Sequence, residues 1–494
     1  MRRLFSVFLL VMLLVPAHHA GATQLEGLPE YVKKVMQSRG IPGISIAVVH
    51  KDRSVRFFSA GVRKAGNEAP VGPDTIYQIG STSKAFTTAL TAMLVDEGLL
   101  DWNGRVADHL PEFRMADPWV TREFTITDLY AQRSGMPSYS GDLQGFLGYG
   151  RKHIIHSLRF IKPVSSFRSQ FSYVNNLFVA GAAMMSNLTG EPWEESIGTR
   201  ILQPLGMTRS STDEAGLVSD PDHAALHMHV SDGPVVLSPG SILATWPYLM
   251  GPAGGINSTA RDMARWLLVH MHGGASGDKR LFSEESGQYM HSPKTPMHAF
   301  GVDAAYCLGW LKIFFPTHTV VCHNGATPGA ASFVGWSPDA EAGVVVLTNI
   351  SRQNGADALG LWILDRLAGA PARDWSEELL GEDGDEPEPN VDSRDPLPRE
   401  RYAGKYYSPV YGSLRVEKRS RGLTVLFGKD LAVSLKLEHA GGDTFSASWP
   451  EMDPDDPVHL FDFAVNGRGE VTAVSLREYS DDGLATWGRV VIEE

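Results

Sequence analysis

Residues 381–400 carry eight acidic residues and four prolines with almost no large apolar side chains. Such a stretch cannot bury enough surface to offset the entropy of ordering it, so it reads as part of a linker, 371–400. The linker separates two textures. Before it, residues 23–370 mix apolar strand runs with helical periods. After it, residues 401–494 hold short alternating segments, Leu414–Glu417, Leu423–Phe427, Val433–Leu437 and Val471–Leu476, separated by Gly and Asp turns. No helical period is visible there, which predicts a small all-β domain of roughly 90 residues, a barrel or a sandwich. A chain of 494 residues is also too long for one compact core.

At the other end, Arg2 and Arg3 precede the apolar run Leu4 to Val15, followed by Ala20-Gly21-Ala22. That run is too short to span a membrane and ends in a small-x-small cleavage site, so residues 1–22 read as a signal peptide. The expected address is export, periplasmic or secreted, in a bacterium. An uncleaved anchor is the alternative. The formal charge of −13 becomes −15 without Arg2 and Arg3, and an acidic surface of this kind argues against a nucleic-acid partner. The two cysteines, Cys307 and Cys322, cannot make a disulfide framework. A turn near Phe315-Pro316-Thr317 would pair Cys307 nearer Gly325 than Cys322, which favours free thiols, although an exported address permits a bridge.

Within the first part, Pro29 to Ser38 has a helical period ending at Gly40. Ile44–Val49 and Val55–Ala60 form a strand hairpin about Lys51-Asp52-Arg53. Residues 101–250 are mostly helical pieces. Strands then return at Cys307–Phe314, Thr319–Cys322, Ser332–Trp336 and Val344–Asn349, before a helix from Ala356 to Leu367. Strands at both ends with helices between them predict an α+β fold: one antiparallel sheet built from both ends, flanked by helices, with a helical subdomain inserted.

Three short stretches carry candidate chemistry. In Ile79-Gly80-Ser81-Thr82-Ser83-Lys84, the apolar residues Phe86, Leu90, Met93 and Leu94 predict a buried helix opened by Ser81 and ending at Glu97-Gly98. Three residues is nearly one turn, so Ser81 and Lys84 share a face. A desolvated lysine can take the proton that makes a serine nucleophilic. The plainer reading of Ser81 is an N-cap. Phe171-Ser172-Tyr173-Val174-Asn175 places a phenol and an amide at the mouth of the apolar run Leu177–Met185, where a core tyrosine and a capping asparagine are the plainer alternative. His323-Asn324-Gly325 ends a strand, and glycine there would let another backbone approach closely. His153 and His156, and His223, His227 and His229, stand in no recognised metal-ligand spacing and read as surface or structural residues.

Together, in this order, Ser81-x-x-Lys84, Tyr173-x-Asn175 and His323-x-Gly325 resemble the active-site signature of the penicillin-recognising serine hydrolases, in the form found in the class C β-lactamase-like branch. That branch includes class C β-lactamases, D-stereospecific aminopeptidases, DD-carboxypeptidases and esterases. Ile126–Pro137, Ser258–Met263, Gly335-Trp336 and Val346–Asn349 add to the likeness, which covers roughly residues 26–368. The tail resembles the lipocalin-like domain appended to some members. The resemblance implies a β-lactamase/transpeptidase-like fold and an acyl-enzyme at Ser81. Lys84 and Tyr173 would transfer protons, and Asn175 would bond Lys84 and substrate. Ser81 and Ala326 would supply the two backbone N–H groups of an oxyanion hole. Small-molecule or peptide substrates and contact with peptidoglycan follow from it. No cofactor or metal does.

One departure separates this chain from the β-lactamases of that branch, which carry Lys-Thr-Gly where His323-Asn324-Gly325 stands. The lysine and threonine attract the carboxylate of a β-lactam. A histidine with an ordinary pKa near ~6.5 holds little charge at neutral pH. The expected activity is therefore hydrolysis of peptides containing D-amino acids, or of esters. A β-lactamase and a non-hydrolytic penicillin- or peptidoglycan-binding protein are the alternatives. His323 is expected to gain a proton near the ordinary histidine pKa, so preference for anionic over neutral substrates should rise as pH falls from about 8 to 6.

Overall fold

The computed structural model describes residues 25–230, 233–351, 353–371, 373–379, 394–420, 422–449, 458–479 and 484–490. The signal peptide read at 1–22 and the middle of the acidic linker, 380–393, lie outside the described residues. The first hairpin forms as its apolar runs imply, with β1 (Gly43–His50) and β2 (Val55–Gly61) antiparallel about Arg53, whose φ is +69°. Six further strands return after the helical middle: β3 (Thr295–Ala299), β4 (Val302–Tyr306), β5 (Leu311–Phe314), β6 (Thr319–Thr327), β7 (Ala330–Ser337) and β8 (Ala342–Thr348). They join the hairpin in one antiparallel sheet of order β2-β1-β8-β7-β6-β5-β4-β3. The fold is α+β, with strands from both ends of the region in one sheet.

Helix α1 (Leu28–Arg39), closed by Gly40 at φ +62°, packs on α5 (Gln353–Leu367) against one face of the sheet. On the other face lie α2 (Lys84–Asp96), α3 (Asn176–Thr189) and α4 (Ala260–Met271), in a second apolar core. Covering both faces explains why β7 and β8 are buried along their whole lengths instead of alternating.

Four details differ from the sequence reading. Ser81 does not open the α-helix; it sits in a 3₁₀ turn, Gly80–Ser83, and α2 begins at Lys84. Cys307–Phe314 is not one strand, because Gly309 turns at φ +73° between β4 and β5. The strand through His323 does not stop at the motif but runs on to Thr327, paired with β7 throughout. The edge strand β3 and its neighbour β4 carry too little apolar alternation to read as strands. Leu311 faces Cys322 across the β5–β6 pair, and both cysteines are free and buried.

The tail closes into an eight-stranded antiparallel barrel: β9 (Gly404–Ser408), β10 (Gly412–Arg419), β11 (Gly422–Phe427), β12 (Val433–Gly441), β13 (Thr444–Ser448), β14 (Val458–Val465), β15 (Val471–Leu476) and β16 (Thr486–Arg489). It is a barrel and not a sandwich, with each strand paired to its sequence neighbour and β16 closing on β9. Inward residues fill its interior. Phe427 packs edge-on against Phe461 and Trp487, and Tyr402 against Phe445 and Phe463.

Candidate active site

Two features fix the 3₁₀ turn that carries Ser81. Tyr77-Gln78 pairs with Asn257-Ser258, and the Ile79 carbonyl accepts from Thr82 Oγ1 (2.8 Å) and Ser332 Oγ (2.7 Å). Strand β6 passes so close that a Cβ on Gly325 would lie 2.2 Å from the Ile79 oxygen and 3.0 Å from the Ser81 nitrogen. Only glycine fits there, which explains that position of His-x-Gly. Gly80 adopts φ +53° against Ala326 in the same contact.

Lys84 is fully buried, and its Nζ donates to Ser81 Oγ (3.0 Å), Asn175 Oδ1 (2.7 Å) and the Ala253 carbonyl (2.9 Å). Three acceptors match the three ammonium hydrogens. Burial nevertheless pulls Lys84 down to about 7, with the charge of Asp142 working in the opposite direction. Ser81 is not a helix cap: the N-cap position of α2 is Ser83, with no capping bond from its side chain. Ser83 is buried and its Oγ accepts from the Ile256 N–H at 3.1 Å.

Tyr173 closes over this pair, with Lys84 Nζ 4.6 Å from its ring centre and the Ser81 hydroxyl engaging its phenol. Burial first, then neighbouring Tyr306, drives its pKa well above the ordinary value. Asn175 makes no capping bond at the start of α3. Its Oδ1 faces Lys84 while its Nδ2 donates to Asp142 Oδ2 at 2.6 Å. Asp142, which sequence reasoning missed, is raised to about 7 by burial, against the pull of the Asn175 bond and the Lys84 charge.

The loop before Tyr173 is braced from below. Asp128, with no exposed surface, binds Arg133 (2.8 Å) and Arg168 (2.6 Å) and closes a capping box with Thr125. The brace presents Gln132, at φ +52°, whose side chain accepts from the Val174 N–H and whose carbonyl accepts from the Ser172 N–H. Tyr139, at φ +59°, donates its N–H to the Tyr173 carbonyl at 2.7 Å. Non-glycine residues with such backbones cluster where a site is over-determined.

His323 and Ala326 line the same cleft of about 450 Å³ as Ser81, Tyr173 and Asn175. His323 is buried: its Nδ1 donates to the Asn324 carbonyl (2.5 Å), and its Nε2 accepts from the Tyr306 hydroxyl (3.0 Å). A carbonyl can only accept, so the neutral Nδ1–H tautomer follows. Burial, reinforced by the charge of Lys84, lowers His323 to about 3. It is therefore neutral from pH 8 to 6, contrary to the expectation that it would gain a proton there. Asn324 donates to Asp357 on α5 at 2.9 Å.

A family model described as beta-lactamase matches residues 28–369, which include all three motifs. The chain belongs to the β-lactamase family. Members of this family are serine hydrolases. A second model, described as a domain of unknown function (DUF3471), matches residues 388–489, the barrel. Among curated relatives is an unguisins hydrolase of Aspergillus violaceofuscus, 25% identical across 86% of this chain and 83% of that protein. Penicillin-binding protein 4 of Amycolatopsis lactamdurans is 27% identical across 63% of this chain and 81% of its own. A solved octameric penicillin-binding protein homologue from Pyrococcus abyssi shares the fold, at a TM-score of 0.61 and 21% identity, covering 92% of this chain and 98% of that one.

The structure thus gathers Ser81, Lys84, Tyr173, Asn175, His323, Gly325 and Ala326 around one cleft. Outside the cleft, His227 and His153 brace the fold. His227 bridges the Ala65 N–H and the Asn349 carbonyl, and His153 donates to the Val410 carbonyl of the barrel segment.

Proposed function

We propose that this protein is an exported serine hydrolase that cleaves peptide or ester substrates through a Ser81 acyl-enzyme. The observation that carries this reading is Lys84 Nζ at 3.0 Å from Ser81 Oγ with its pKa drawn to about 7. An ordinary lysine would be neutral in only about one molecule in 2,500 at pH 7. Lys84, drawn to about 7, holds a substantial neutral fraction there. Tyr173 is pushed the other way, so it keeps its proton near neutrality.

These shifts support one division of roles. Neutral Lys84 takes the Ser81 proton as the hydroxyl attacks the carbonyl, and the protonated phenol of Tyr173 delivers a proton to the leaving group. The N–H groups of Ser81 and Ala326 hold the tetrahedral oxyanion. Water then hydrolyses the ester at Ser81. A neutral His323 gives no cation for a β-lactam carboxylate, which favours peptides and esters. The hydrolase name among the relatives supports a hydrolytic reaction.

The test is to incubate purified protein with a D-amino-acid amide, a short-chain p-nitrophenyl ester and nitrocefin. Turnover of the amide or the ester well above nitrocefin is expected. Turnover of nitrocefin alone would make it a β-lactamase, and a stable adduct without turnover would make it a binding protein.

A further inference from the structure

Next to the catalytic cleft lies a second cavity of about 660 Å³, which shares Tyr139, Asp142 and Trp246 with it. Its outer wall comes from the tail: Tyr411, Glu478 and Tyr479. The tail is bonded in place beside it. Tyr149 Oη donates to the Tyr411 carbonyl (3.0 Å), His153 Nε2 to the Val410 carbonyl (2.9 Å), and the Lys429 N–H to the Leu147 carbonyl (2.8 Å). A Cβ on Gly412 would lie 2.2 Å from the Tyr149 hydroxyl, so the two surfaces meet too closely for a side chain at that point.

The lining chemistry is specific. Phe146 and Trp246 stack at 4.9 Å and 5°, and Tyr139 adds a further ring. Asp142 and Glu478 bring two carboxyl groups, one from each domain, and no Lys or Arg is among the described residues of the lining. The nearby cations Arg151, Lys152 and Lys429 line a separate cavity. Asp142 Oδ1 is buried with no hydrogen-bond partner among the described residues, although Oδ2 is held by Asn175. Glu478 Oε1 accepts from the Leu460 N–H at 2.9 Å, which fixes that carboxylate on the barrel. Aromatic faces with carboxylates suit an alkylammonium or guanidinium group. An anion would meet the Glu478 carboxylate and, when ionised, that of Asp142, and a plain apolar group would leave Asp142 Oδ1 unpaired.

We propose that this interdomain cavity is a substrate subsite for a positively charged group, an amine or guanidinium carried on an alkyl arm, and that the barrel thereby helps to select the substrate. The proposal rests on the Ser81 hydrolase reading and extends it to a substrate class.

The experiment compares kcat/KM for p-nitrophenyl hexanoate, p-nitrophenyl 6-aminohexanoate and the p-nitrophenyl monoester of adipate, with a matching set bearing the charge on the alcohol arm. In one arm or the other, the amine should raise kcat/KM about tenfold over the neutral ester, and the carboxylate should lower it. Glu478→Gln, which keeps an acceptor for the Leu460 N–H, should erase most of the amine gain and leave the neutral ester unchanged. Glu478→Lys should invert the order. No preference for the amine in either arm, or a preference untouched by both variants, would overturn the subsite while leaving the hydrolase reading intact. Failure to turn over any ester or amide would overturn both.

Discussion

Lys84, on the helix beneath Ser81, and His323, on the strand beside it, are both bases weakened by burial, yet they end in different ranges. Lys84 falls to about 7, where it gains and loses a proton under ordinary conditions. His323 falls to about 3 and stays neutral. Desolvation is the leading cause for both. Each falls by a similar amount, Lys84 from 10.5 and His323 from 6.5, so the ordinary values set the two ranges, while the nearest charges differ in sign. The carboxyl of Asp142, one amide away, works to keep the proton on Lys84. The ammonium of Lys84 works to keep it off His323. One buried base is therefore set for proton transfer, and the other is a fixed dipole between Tyr306 and the Asn324 carbonyl. Burial alone does not tell a catalytic base from a structural one; the ordinary value from which the buried group starts does.

Substitutions should separate the two. Lys84→Arg keeps the cation and removes the neutral form, so kcat/KM should fall by about three orders of magnitude with the fold retained. His323→Asn should cost less than about tenfold, since only a hydrogen-bonding dipole is lost. Comparable losses in steady-state assays would erase the distinction.

The pH dependence sharpens it further. With a neutral ester, kcat/KM should climb with pH and level off above about 7, as Lys84 loses its proton. The ratio of anionic to neutral substrate should stay flat between about pH 8 and 6, because His323 at pH 6 is charged in only about one molecule in a thousand. A ratio that rises toward pH 6 would show that His323 titrates after all.

Stability gives a smaller signal of the same physics. His323, lowered to about 3, binds its proton more readily in the unfolded chain, so its contribution is intact above about pH 6.5 and lost as pH falls toward 3. His323→Gln should flatten the denaturation midpoint over that window relative to the parent. His270 and His291, also buried and lowered, should leave a residual slope. An unchanged slope would mean that His323 is hydrated in solution. The smallest effect is expected at Ser83. Ser83→Ala loses one buried bond to the Ile256 N–H, roughly 1 kcal/mol, and should keep most of the activity.

What the sequence revealed follows the range of the physics involved. Ser81 and Lys84 were legible because their contact is one helical turn long, and Gly325 because a close backbone approach leaves a glycine. Apolar runs such as Ile44–Val49 marked the sheet strands. Asp142 was not legible: it reaches Asn175 from 33 residues earlier through a loop with Gly141 at φ +82°. The neutrality of His323 was hidden as well, since it depends on Tyr306 across the sheet and on burial in the folded chain. Short, partly polar strands such as Thr444–Ser448 and Thr486–Arg489 were missed because ring closure, more than their own pattern, holds them in place.

The most direct test of a Ser81 nucleophile activated by a partly neutral Lys84 is the rate of fluorophosphonate labelling from about pH 5 to 10, followed by intact mass and peptide mapping. The predicted result is a single adduct on Ser81, absent from Ser81→Ala, whose rate constant rises to a plateau with a midpoint about 7. A label on another serine would contradict it, as would a rate still climbing near pH 10 in the manner of an ordinary lysine.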